Sequence, residues 1–82
     1  MSFKQGQRPL HQIARDIQKN WKPVVNFAAK PYLEAMHTLN TMEDNYGLDS
    51  ARSIVSYFLS NAASFKGTEA KKLKTELKSM LK

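Results

Sequence analysis

Apolar residues recur at helical spacing along almost the whole chain, and no convincing stretch alternates as a half-buried strand would. Leu10, Ile13, Ala14, Ile17 and Trp21 form one stripe, and Pro23 marks the end of that first helix. A second helix is expected from about Pro31, whose missing N–H does no harm in a first turn. Its stripe is Tyr32, Leu33, Met36 and Leu39, extended to Met42. Glu43 to Gly47 breaks the pattern and reads as a turn. Asp49 or Ser50 can cap a third helix carrying Ala51, Ile54, Val55, Phe58, Leu59, Ala62 and Phe65. That face is the widest in the chain, so this helix is expected at the centre, closed by Lys66-Gly67. Thr68 is expected to cap a fourth helix with the stripe Ala70, Leu73, Leu77, Met80 and Leu81. Val24 to Phe27 reads as a short extended connector. The expected fold is all-α, a compact four-helix domain with short loops over residues 10–82, preceded by a flexible basic arm over residues 1–9.

A chain of 82 residues holds one small domain. It has no cysteine, which removes disulfides, thiolate metal sites and a Cys nucleophile. No run approaches the roughly 20 apolar residues of a membrane span. The N-terminus lacks the apolar stretch of a signal peptide, so the protein is expected to stay where it is made, in the cytoplasm.

The formal net charge of +6 is unevenly spread. Residues 1–30 carry six basic and one acidic side chain, a balance of +5. Residues 31–50 carry four acidic and no basic ones, and residues 51–82 seven basic and two acidic, balances of −4 and +5. On the fourth helix Lys71, Lys74, Lys78 and Lys82 line one flank of the apolar stripe with no acidic neighbour on that flank. Glu69 and Glu76 lie on the other flank, where Lys72 can pair with Glu76 at i,i+4. Lysine is a good helix former and suits a helix C-terminus, which accounts for Lys78 and Lys82 better than for Lys71. The other reading is a surface that meets an anion. Clustered lysines on a domain of pI about 9.8 are the usual electrostatic footprint of nucleic-acid binding. Lys66, Arg52 and, in the arm, Lys4 and Arg8 would add to that surface.

Other chemistry finds less support. A helix-turn-helix tried on residues 59–78 meets Lys66 where an apolar residue belongs and Glu76 where the second helix should be buried. His11 and His37 are isolated, and Glu43, Asp44 and Asp49 lack the alternating oxygens of a calcium loop. No spacing orients a nucleophile and base, and there is no Gly-rich phosphate loop, so neither an enzyme nor a cofactor is expected. The fourth helix lacks Trp and Phe, which disfavours a membrane-surface role. Trp21 is expected in the core rather than facing a partner, Tyr57 off the main stripe, and Asn61 in a structural role, hydrogen-bonded to loop backbone if buried.

Several segments together resemble small proteins encoded by bacteriophages and prophages. They are Pro31-Tyr32-Leu33-Glu34-Ala35-Met36, Asn45-Tyr46-Gly47-Leu48-Asp49-Ser50, Ile54-Val55-Ser56-Tyr57-Phe58-Leu59-Ser60-Asn61-Ala62 and Lys66-Gly67. The likeness covers roughly residues 24–82, with Phe65-Lys66 where those proteins have Trp-Arg. It implies a phage origin and a bacterial host cytoplasm, and no mechanism. Nucleic acid is the first partner expected, through the lysine stripe. A host or defence protein that the chain binds and modulates or inhibits is the alternative. The bipolar charge also admits self-association, with the acidic turn of one copy meeting a basic end of another.

Overall fold

In a computed structural model that describes residues 8–21 and 27–81, the apolar stripes converge on one buried cluster running from Leu10 to Met80. Four helices supply most of it: α1 (Leu10–Asn20), α2 (Lys30–Met36), α3 (Ala51–Ser60) and α4 (Thr68–Leu81). Two short strands, β1 (Asn45–Tyr46) and β2 (Asp49–Ser50), lie between α2 and α3. The protein is therefore mostly helical, with a small antiparallel hairpin where the sequence predicts only a turn.

Pro9 precedes α1 and has no side chain that can cap it. The first donors are met by the chain after α2 instead: Leu10 N–H donates to the Asn40 carbonyl at 2.9 Å and His11 N–H to Leu39 at 2.8 Å. This contact explains why α2 is shorter than its stripe predicts. After Met36 the chain tightens, with Thr38 N–H donating to Ala35 and Leu39 N–H to Met36, and swings two carbonyls onto the start of α1. Leu39 and Met42 are still buried, but from non-helical backbone.

The hairpin pairs Asn45 with Ser50 and Tyr46 with Asp49. Gly47 has φ +63° and Leu48 a negative φ, the sign pattern of a type II′ turn, which calls for glycine first. Ser50 then caps α3, its Oγ accepting from Ser53 N–H at 3.1 Å.

Helix α3 stops at Ser60, not at Lys66-Gly67. Asn61 Nδ2 donates to the Tyr57 carbonyl at 2.8 Å, and Ser60 Oγ to Ser56 at 3.0 Å, polar competition of the kind that weakens a helix end. Ala62 and Phe65 are buried from the connecting segment, not from the helix. Phe65 stacks on Trp21 with ring centroids 4.8 Å apart, and Phe58 meets Trp21 edge-on at 6.1 Å. Trp21 is 7% exposed, in the core as its position predicts. Gly67, at φ +113°, opens α4 rather than closing α3: its carbonyl accepts from Lys71 N–H at 3.0 Å. That puts the N-cap one residue before Thr68.

Candidate anion-binding groove

Helix α4 buries Ala70, Leu73, Leu77 and Met80, as its stripe predicts. Burying that face fixes where the lysines go. Lys71, Lys74 and Lys78 fall along one flank and meet Lys66 and Gly67 from the α3–α4 connection. Together with Thr75 and the edge of Phe65 they line a groove of about 390 Å³. Its described lining holds four lysines and no carboxylate.

Lys74 is the fixed point of the groove. Its Nζ donates to the Ala62 carbonyl at 2.7 Å and lies 5.9 Å from the centre of the Phe65 ring. It straps α4 to the segment after α3 and satisfies a carbonyl that the helix end leaves open. Partial burial pushes the Lys74 ammonium below the usual lysine range, and the positive charges of Lys78 and Lys66 push it further. A group of like charges held this close is one that an anion would relieve.

The remaining predicted residues sit elsewhere. Arg8 belongs to the folded body, not to a free arm. Its guanidinium donates through Nε and Nη2 to Glu76 at 3.0 and 2.7 Å and through Nη1 to Asp16 at 2.6 Å. These contacts with Glu76, then Asp16, hold its charge on even more firmly than in free arginine. Arg8 thus joins α1 to α4 and is already neutralised by two carboxylates. Glu76 is taken by Arg8, so Lys72 pairs instead with Glu69, at i,i+3 and 3.8 Å. Arg52 lies at the far end of α4, donating to the Leu81 carbonyl at 2.9 Å and reaching Glu43 at 3.4 Å. Lys4 and Lys82 lie outside the described residues.

The seven residues 61–67 between α3 and α4 exceed the three- or four-residue turn of a helix-turn-helix, which removes the geometric basis for reading α4 as a recognition helix. Among the described residues, no group of three His, Cys, Asp or Glu side chains is placed to hold a metal, and no helix is long and apolar enough to cross a membrane.

The apolar periodicity predicts a turn near Gly47 but does not mark the hairpin tip as an exposed apolar surface. Leu48 is fully exposed and Tyr46 about half exposed, beside the exposed carboxylates of Asp49 and Glu43. An apolar residue directly after a turn glycine and before an aspartate was the available signal, since turns favour polar residues there. Comparison with known proteins gives no match to a family model, to a curated protein or to a solved structure.

Proposed function

We propose that this chain is a small non-enzymatic binding protein, of phage type, that docks nucleic acid in the α3–α4 groove. The observation that carries this reading is the convergence of Lys66, Lys71, Lys74 and Lys78 on one groove whose described lining has no carboxylate. Lys74 ties α4 to the Ala62 carbonyl, but that tie does not call for three further lysines around it, and Lys74 and Lys78 are a like-charge i,i+4 pair, disfavoured by about 0.2–0.5 kcal/mol. A polyanion converts that self-repulsion into attraction. The test is titration of labelled DNA and RNA with the full chain at low and high salt, beside Lys66→Gln/Lys71→Gln/Lys78→Gln. Binding at low salt that the triple variant loses supports the reading. Absence of binding at low salt, or binding the variant leaves intact, removes it.

The hairpin favours a second reading, docking on a host protein. Tyr46 and Leu48 are held out on a turn braced by strand pairing and by the Ser50 cap, so little ordering entropy would be lost on contact. A host protein captured by the wild type and lost with Leu48→Asp would support it. Recovery of nucleic acid alone would count against it.

A further inference from the structure

We infer that the α3–α4 groove takes the phosphates of one nucleic-acid strand as charges, about three in a row, and reads no bases. This rests on the nucleic-acid reading above and adds what kind of recognition the groove performs.

The lining decides against base readout. The described lining lacks the arginine forks and carboxamides that discriminate bases most sharply: it offers lysine ammonium groups, which meet guanine edges and phosphates alike, and one threonine, which accepts any base. Lysine is a point charge on a flexible stem and selects phosphate without orienting a base. Binding of unpaired bases usually relies on an open aromatic platform. Phe65, the aromatic ring at the groove, is 2% exposed; its ring is engaged by Trp21 and Lys74.

The extent of the lysine run sets the number of contacts. From Lys71 to Lys78 is seven residues, about 10 Å along a helix rising 1.5 Å per residue. Successive phosphates of one strand lie farther apart than the axial rise of about 3.4 Å per nucleotide, because the backbone winds around the axis, so the run meets no more than about three phosphates. Its flanks confine the ligand to that strip. Across the helix, Glu69 and Glu76 place carboxylates on the opposite side, partnered by Lys72 and Arg8. At the far end of α4 Arg52 is occupied by the Leu81 carbonyl and Glu43. Lys74, already anchored on Ala62, presents its charge with little ordering left to do.

The test is fluorescence anisotropy of the full chain with labelled twelve-nucleotide DNAs: mixed sequence, oligo-dT and oligo-dA, and a mixed duplex, between about 50 and 200 mM salt. Three phosphate contacts predict a log–log salt slope of about −3 on duplex and about −2 on single strands. The three single strands should bind within about threefold of one another, since stacking and base-edge terms are missing. Each of Lys66→Gln, Lys71→Gln and Lys78→Gln should flatten the duplex slope by up to about one, with thermal melts confirming that the variants fold. A preference of tenfold or more among the strands, or a duplex slope steeper than about −5, would overturn the inference while leaving nucleic-acid binding in place. Absence of binding at low salt would overturn both.

Discussion

The Asp44 carboxylate accepts N–H bonds from Asn40 at 2.8 Å and Thr41 at 3.2 Å, and the Thr41 hydroxyl at 3.2 Å. Those bonds, the Asn40 one first, draw its pKa below the ordinary aspartate value. A depressed carboxylate contributes stability above its unfolded pKa, and that contribution fades as pH falls through the folded value. Asp44→Ala is therefore expected to lower stability by about 1 kcal/mol at neutral pH, the scale of a lost cap, and to flatten the loss of stability below about pH 4. Urea melts of both proteins across that range would show it; parallel curves would contradict it. From sequence, Asp44 is legible as part of an acidic turn. Its role in holding the Asn40–Thr41 backbone is not, because that depends on how the chain folds back after α2. Lys74 carries the opposite sign. Burial first, and then the charges of Lys78 and Lys66, make the folded state resist protonating it, so removing a neighbouring charge relieves the smaller part of that cost. Lys78→Gln is expected to raise stability by a few tenths of a kcal/mol while weakening nucleic-acid binding. Melting and titration of the same variant moving in the same direction would argue that Lys78 is a structural residue.

Between elements, the decisive contacts are the ones sequence spacing hides. All four helices are legible because their buried faces repeat at helical intervals, and the buried residues of α4 are those its stripe names. The helix ends are less legible. Helix α2 ends early to supply carbonyls to α1, and α3 ends early where Ser60 and Asn61 compete for backbone carbonyls. The first leaves no local pattern, since the Leu10–Asn40 bond joins residues thirty apart; the second is local to Ser60 and Asn61 but is masked by an apolar spacing that runs on through Ala62 and Phe65. The link from Arg8 to Glu76 spans 68 residues and is equally silent. It ties the start of the described chain to both α1 and α4 at roughly one-third exposure, where solvent screening limits an ion pair to about 1 kcal/mol. Arg8→Ala should lower the melting temperature by about 4–8 °C, and Arg8→Lys should restore only part of it, because lysine lacks the fork that meets Asp16 and Glu76 together. Nucleic-acid affinity should change little in either variant. An affinity loss as large as that of the groove variants would return Arg8 to the binding surface.

At the scale of the molecule, the net charge matters less than where it collects. Arg52 brings the end of α4 beside Glu43, so the acidic hairpin region sits near that end. Lys66 and Lys71 sit near its beginning. The helix macrodipole runs the same way, positive at the α4 N-terminus, and deepens the contrast. On the proposed reading, a phosphate strand at the basic end would stabilise the folded protein through its preference for the assembled groove, because the unfolded chain disperses the same lysines. At a free oligonucleotide concentration about a hundred times the dissociation constant, that linkage is worth about 2.7 kcal/mol, a rise in melting temperature of about 10–20 °C for a domain this small. The same oligonucleotide concentration at about 200 mM salt should raise it far less, since counterion release no longer favours the complex. Lys66→Gln/Lys71→Gln/Lys78→Gln should melt at or slightly above the wild type alone and gain almost nothing from the ligand. A triple variant that still gains the full shift would mean the strand is held by cations other than those of the groove.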